Sequence, residues 1–204
     1  MGVVTVSRQY GAGGLRVAPA LAERLDYRFV DREVIEQAAA RLGVDPEVAR
    51  DRDERAPALV EQIGMALAHG TPEFGMADVR LDDRELAEAI RAVSESLANA
   101  GGYVILGRGA QAALHGRADA CHFHLVGLLG DRARRVAKSQ GLTEDEARAL
   151  CKRRDAERAG YVRRFYGVDI EDRLLYDCVL NTSGLGLEGA IETALAACRT
   201  KLGA

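Results

Sequence analysis

Short apolar runs alternate with amphipathic stretches along most of the chain, and that alternation predicts five strands separated by helices. Residues 3–6 (VVTV) are β-branched and apolar, as a strand buried on both faces requires. A glycine cluster follows, and then Val17, Leu21 and Leu25, with Ala18 and Ala22 beside them, mark one apolar face of a helix over 15–25. The stretch 27–31 (YRFVD) predicts a short strand ending on Asp31. Val34, Ile35, Ala38, Ala39 and Leu42 then predict a second helix closed by Gly43.

Residues 45–100 carry helical patterns broken by Pro57 and by the turn-rich HGTPEFG at 69–75, which predicts an all-helical insertion. Strands return at Val104–Leu106, at about Cys121–Val126 and at 176–181 (YDCVLN), with a short helical piece near 111–114 between the first two. Residues 130–167 read as helical and strongly basic, and Thr143 with Glu146 three residues on forms a capping box. A closing helix spans 187–202. The whole predicts a single α/β domain over 1–204, with a parallel sheet covered by helices on both faces and ligands beyond the carboxyl ends of the strands.

Composition narrows the function classes. At 204 residues the chain is long enough for a substantial core, and 48% hydrophobic with 29% charged residues is ordinary for a soluble globular protein. A formal charge of −3 argues against a bulk nucleic-acid or membrane surface, while local basic clusters still suit a small anion. The four cysteines, Cys121, Cys151, Cys178 and Cys198, are scattered without metal-type spacing and read as thiols of a reducing compartment. No run of about 18 apolar residues or leader-like start appears, so a cytoplasmic location is expected.

The chemistry concentrates just after the strands. SRQYGAGG (7–14) joins strand to helix as a phosphate-binding turn does, because glycine lets backbone N–H groups approach an anion closely. The P-loop pattern GxxxxGK[ST], laid on this segment, puts Arg8 at the first glycine, Gly13 at the second, Gly14 at the lysine and Leu15 at the hydroxyl residue. The lysine and hydroxyl are both missing, and Arg8 and Arg16 are candidates for the missing charge. Arg108 stands in a second glycine turn. Asp31 either caps the following helix or lines the site, and both roles can coexist. His122 and His124 share one strand face and read as packed rather than as half of a metal site. Lys152, Arg153, Arg154, Arg158, Arg163 and Arg164, interleaved with Asp155 and Glu157, read by spacing as a solvated face.

Five segments in order, SRQYGAGG (7–14), LDYRFVDREVI (25–35), VILGRGA (104–110), the basic stretch 130–167 and YDCVLNTSGLGLEGAI (176–191), resemble the cytidylate kinase-like family, a divergent branch of the P-loop nucleoside-monophosphate kinases. The first resembles that branch's SRxxGSGG signature. The third resembles a GRD strand end, and the last a DTSxLSIEE element, with Asn181 in place of the aspartate. The resemblance implies a P-loop kinase-like three-layer fold with a five-stranded parallel sheet, an acceptor-binding lobe at 45–100 and a basic lid at 130–167. It implies ATP-dependent phosphoryl transfer with Mg2+ to a small nucleotide, CMP or dCMP. Gly11, Ala12, Gly13, Gly14 and Arg132 would hold the donor phosphates, and Asp31 and Arg108 the acceptor. Arg8, a candidate for the missing charge on its own chemistry, is expected in the catalytic set together with Asp31, Arg153 and Arg154, and the resemblance gives Arg135 and Arg158 as further lid arginines. Two alternatives stay open: a nucleotide-binding or regulatory protein of this fold without turnover, and a kinase of another small acceptor.

Overall fold

The computed structural model describes residues 1–31, 33–43, 45–47 and 83–203. Within them β1 (Val3–Arg8), β2 (Arg28–Val30), β3 (Tyr103–Leu106), β4 (Ala120–Val126) and β5 (Cys178–Asn181) form one sheet, ordered β2-β3-β1-β4-β5, with every pairing parallel. The helices are α1 (Gly14–Leu25), α2 (Glu33–Leu42), α3 (Asp83–Ala100), α4 (Ala110–Ala113), α5 (Leu129–Gln140), α6 (Glu144–Tyr166) and α7 (Gly186–Leu202). Most of the insertion expected at 45–100 lies outside the described residues, and its described end is α3.

The apolar runs sort onto two faces by strand parity. Val4, Val6, Phe123 and Leu125 pack with Val17 and Leu21 of α1 and with Ala194 and Leu195 of α7. Val3, Val30 and Ile105 pack on the other face with Val34 and Ile35 of α2 and with Ile90 and Val93 of α3. Burying each such side chain contributes about 1.5–3 kcal/mol, which secures the three layers. β1 runs two residues beyond the expected VVTV, because Ser7 and Arg8 keep pairing with His124 and Leu125 of β4. Arg8 is therefore the last residue of the central strand rather than part of the turn, and period two puts it on the α1 face with Val4 and Val6.

The basic segment is a helical hairpin. Gly141 (φ 68°) ends α5, and Thr143 Oγ1 accepts from the Glu146 N–H while Glu146 Oε2 accepts from the Thr143 N–H at 2.9 Å, so α6 starts on the expected capping box. Ala133, Val136, Ala147 and Cys151 join the two helices into a small core of their own.

One face of β1 and β4 carries a buried polar ladder. Thr5 Oγ1 lies 2.7 Å from His122 Nδ1 and Ser7 Oγ lies 3.1 Å from His124 Nδ1, while the His124 ring stacks on Tyr176 at 4.8 Å between centroids. Burial first of all pulls both imidazole pKa values down to about 4, against the opposing carboxylates of Asp177 for His122 and Asp155 for His124. In the unfolded chain an imidazole titrates near 6.5, so between about 6.5 and 4 the unfolded state takes up protons that the fold refuses. Stability is expected to be unaffected by these groups above about pH 6.5 and to fall steadily as pH drops toward 4. Urea midpoints measured at pH 7.0 and 5.0 check this; equal midpoints would remove both histidines from the acid response.

Candidate functional site

The turn between β1 and α1 leaves a set of backbone donors open. Its other N–H groups are used internally: Gln9 donates to Leu125 O at 2.9 Å, Tyr10 to Asp155 Oδ1 at 2.6 Å and Ala12 to Gln9 O at 3.2 Å. The N–H groups of Gly11, Gly13, Gly14 and Leu15 have no acceptor among the described residues. They gather at the start of α1, where the helix dipole adds positive potential, an arrangement that suits an anion. Gly13 is required there: its φ is +94°, and a Cβ would lie 2.3 Å from Leu187 Cδ2 of α7.

Beside the turn a cavity of about 340 Å³ opens at the carboxyl ends of β1, β2 and β3 and is roofed by α6. Among the described residues Arg8, Arg108, Arg154 and Arg158 line it against two carboxylates, Asp31 and Glu157. Burial, and then the neighbouring Arg158, pull the Arg8 pKa down to about 9, with Asp31 opposing and Arg108 adding to the fall. Burial also lowers Arg158, whose Nη1 donates to Arg8 O at 3.1 Å and whose guanidinium sits 5.2 Å from the Tyr10 ring centroid. Both arginines stay cationic near neutrality, so the cavity holds crowded positive charge that an anion would relieve. Asp31 Oδ1 is buried here and accepts no hydrogen bond from the described residues.

Arg108 stands between Gly107 and Gly109, and all three are left-handed, with φ of 59°, 77° and 70°. For a non-glycine residue this conformation costs on the order of 1 kcal/mol, and Tyr166 Oη holds it by donating to Arg108 O at 3.1 Å. Tyr161 also lines the cavity; its hydroxyl is buried and meets no hydrogen-bond partner in good geometry among the described residues, and burial pushes its pKa up.

The fold thus brings Arg8, Asp31, Arg108, Arg154 and Arg158 to one cavity, beside Gly11, Ala12, Gly13 and Gly14. Ala12 contributes differently from its glycine neighbours, since its N–H is bonded within the turn and its side chain is buried in the core. Arg153 stands apart: its side chain is 64% exposed and pairs with Glu157 at 3.7 Å. Arg154 faces the cavity but is tied to the same Glu157 at 3.0 Å. Arg16 is exposed on α1.

Arg132 is committed to the protein rather than offered to a ligand. Nε donates to Gly127 O at 2.9 Å, and Nη1 donates to Tyr10 O at 2.9 Å and to Asp155 Oδ2 at 2.7 Å. Arg135 likewise braces the turn, reaching Gly11 O at 3.0 Å and Thr182 O at 3.2 Å. Asn181, at the position of the family's aspartate, accepts from the Ser183 N–H at 3.0 Å in a local turn. The sequence reading passed over Tyr10, Tyr161 and the paired role of Asp155. Residues 154, 157, 158, 161 and 162 recur at helical spacing on α6 and all line the cavity, a pattern legible once the roof is known.

The family model described as cytidylate kinase-like matches residues 3–184. The chain belongs to the cytidylate kinase-like family. A cytidylate kinase from Ignicoccus hospitalis is 32% identical over 194 residues, covering 95% of this chain and 96% of that protein. Among solved structures, an uncharacterized protein from Eubacterium ventriosum superposes with a TM-score of 0.69 at 18% identity, covering 96% of this chain and 97% of the other. A shikimate kinase from Bacteroides thetaiotaomicron gives 0.54 at 17% identity over 100% of this chain and 99% of the other. The fold is that of the P-loop kinases, and family and fold together support nucleotide kinase activity. Among the described residues no helix is long and apolar enough to cross a membrane.

Proposed function

We propose that this member of the cytidylate kinase-like family moves the terminal phosphoryl group of ATP to a nucleoside monophosphate, with CMP or dCMP as the acceptor. The observation that supports this most directly is the meeting of two anion-seeking surfaces: the open N–H groups of Gly11, Gly13, Gly14 and Leu15, and the arginine-rich cavity at Asp31 and Arg108. One suits the donor's phosphates and the other the acceptor's.

Phosphoryl transfer asks the protein to hold donor and acceptor in line and to neutralise the equatorial oxygens. A phosphate oxygen of the acceptor attacks the γ-phosphorus, the bond from that phosphorus to the β–γ bridging oxygen breaks, and its electron pair leaves on ADP. No proton transfer is needed when the acceptor phosphate is dianionic. The turn amides hold the donor's β- and γ-oxygens, while Arg108 and Arg158 hold the acceptor phosphate. Asp31 offers its free Oδ1 to a hydrogen-bond donor of the acceptor. The segment at 45–100, expected from its sequence to be helical, would complete the acceptor side, and the basic lid at 130–167 would close over the donor while its second helix, α6, also roofs the acceptor cavity.

Of the two carboxylates lining the cavity, Glu157 is paired with Arg153 and Arg154, so magnesium carried by the nucleotide would find Asp31, and no hydroxyl at Leu15; one carboxylate plus phosphates is a sufficient set for this ion. Bound there, it would supply charge to the phosphate oxygens.

The deciding assay incubates the purified protein with ATP, Mg2+ and a panel of nucleoside monophosphates. Diphosphate formation is expected, fastest with CMP or dCMP. A folded protein that transfers phosphate to none of the panel overturns the kinase reading, and ATP or CMP binding without turnover would then leave a nucleotide-binding module.

A further inference from the structure

In the phosphate turn, the first-glycine and lysine positions have exchanged occupants: arginine stands at 8 and glycine at 14. Their side-chain space is shared in the same reciprocal way. A Cβ placed on Gly14 would lie 3.0 Å from Arg8 Cγ and 3.4 Å from Arg8 Cδ, so the stem of Arg8 fills the volume through which a residue-14 side chain would leave the helix. A Cβ on Gly107 would lie 1.8 Å from Arg8 Nη1 and 3.0 Å from Cζ, so the guanidinium rests directly on the backbone of the acceptor turn. The side chain thus passes from the donor turn, where its stem lies against Gly14, to the acceptor turn, where its head rests against Gly107.

That head is unspent. Among the described residues no hydrogen bond or ion pair engages the Arg8 guanidinium, although it has five N–H donors to place. A surface arginine could satisfy them with water, and a structural arginine would satisfy them with carbonyls, as Arg132 does. Arg8 does neither.

We infer that Arg8 is the catalytic cation of this enzyme, a guanidinium threaded from the first-glycine position that takes over the work of the missing lysine at position 14. Its planar fork bridges the transferring γ-phosphoryl oxygens and the acceptor phosphate, which a point charge on an ammonium does less well. The requirement for glycine at both 14 and 107 follows, since either side chain would displace the arginine. This rests on the phosphotransferase reading above.

The test compares Arg8→Met, which keeps the stem and removes the charge, with the exchange variant Arg8→Gly/Gly14→Lys, which returns the cation to the lysine position. Arg8→Met should keep a cooperative melt and lose about 100-fold or more in phosphoryl transfer, as loss of one preorganised charge at the transition state does. The exchange variant should recover about tenfold or more over Arg8→Met, which a purely structural arginine would not allow. Transfer by Arg8→Met within about threefold of the parent, or an exchange variant no better than Arg8→Met, overturns the inference. Calorimetric titration with ATP separates this from the kinase reading. If the parent binds ATP yet phosphorylates no monophosphate, the kinase reading falls, while about tenfold weaker ATP binding by Arg8→Met still upholds the charge assignment. Equal ATP binding by the two in that case, or no ATP binding by the parent, overturns it.

Discussion

Replacing Gly107 by alanine is expected to lower phosphoryl transfer by about 100-fold while the domain still folds, because the new methyl group occupies the place of a catalytic side chain rather than of the core. The ideal Cβ lies 1.8 Å from Arg8 Nη1, far inside contact distance, and the Gly107 φ of +77° resists any escape by backbone rotation. The far end of a flexible side chain yields before two packed strands do, so the guanidinium moves by an ångström or more. A displacement of that size in an in-line reaction costs about two orders of magnitude. Backbone strain alone predicts something different, and Gly116 isolates it: its φ is +83° and nothing lies within 4 Å of its Cβ. Gly116→Ala should share the strain cost, about 1–2 kcal/mol of stability, and keep full transfer rates. Melting curves and initial rates on the two variants settle the matter; equal activity in both would mean that Arg8 does not need its place on Gly107.

How much of this was legible in the sequence divides along physical lines. Strands buried on both faces advertise themselves as apolar runs, so VVTV, VIL and 121–126 were readable, as was their parallel arrangement from the helices between them. The end of β1 was not, since Ser7 and Arg8 are polar and their membership in the strand depends on the backbone of β4. That Asp31 and Arg108 share one cavity was foreseeable because ligand sites in parallel sheets lie just past strand ends, a rule that needs no tertiary detail. The path of Arg8 was half legible. Strand parity places it with Val4 and Val6, but only the approach of α1 and β3 shows that glycines at 14 and 107 leave a channel for it.

The basic hairpin shows the opposite limit. Sequence spacing gives a helix rich in arginine, and charge alone assigns such arginines to solvent or ligand. What separates Arg132 from Arg153 is burial against partners distant in sequence: Asp155, Tyr10 and Gly127 for the first, and solvent for most of the second. No periodicity encodes those pairings. The capping box at Thr143 was readable because its two residues stand three apart.

Arg132→Ala should therefore act on stability first, lowering the melting temperature by about 10 °C. The Arg132 side chain is only 7% exposed, and its loss strands three acceptors: Gly127 O, Tyr10 O and Asp155 Oδ2. Breaking one partner out of a buried pair costs about 3–5 kcal/mol, since the remaining charge keeps its desolvation penalty without its counterion. In a chain of this size each kcal/mol moves the melting point by about 2–4 °C. The cost should be strongly non-additive with that of Asp155. Removing both in Arg132→Ala/Asp155→Ala takes away the stranded carboxylate but also the acceptor of the Tyr10 N–H, so the double variant should be destabilised by clearly less than the sum of the singles. A double variant destabilised by the full sum of the singles would show that the two side chains act independently. Arg132 could not then be the tie that holds Tyr10 and the phosphate turn to the hairpin.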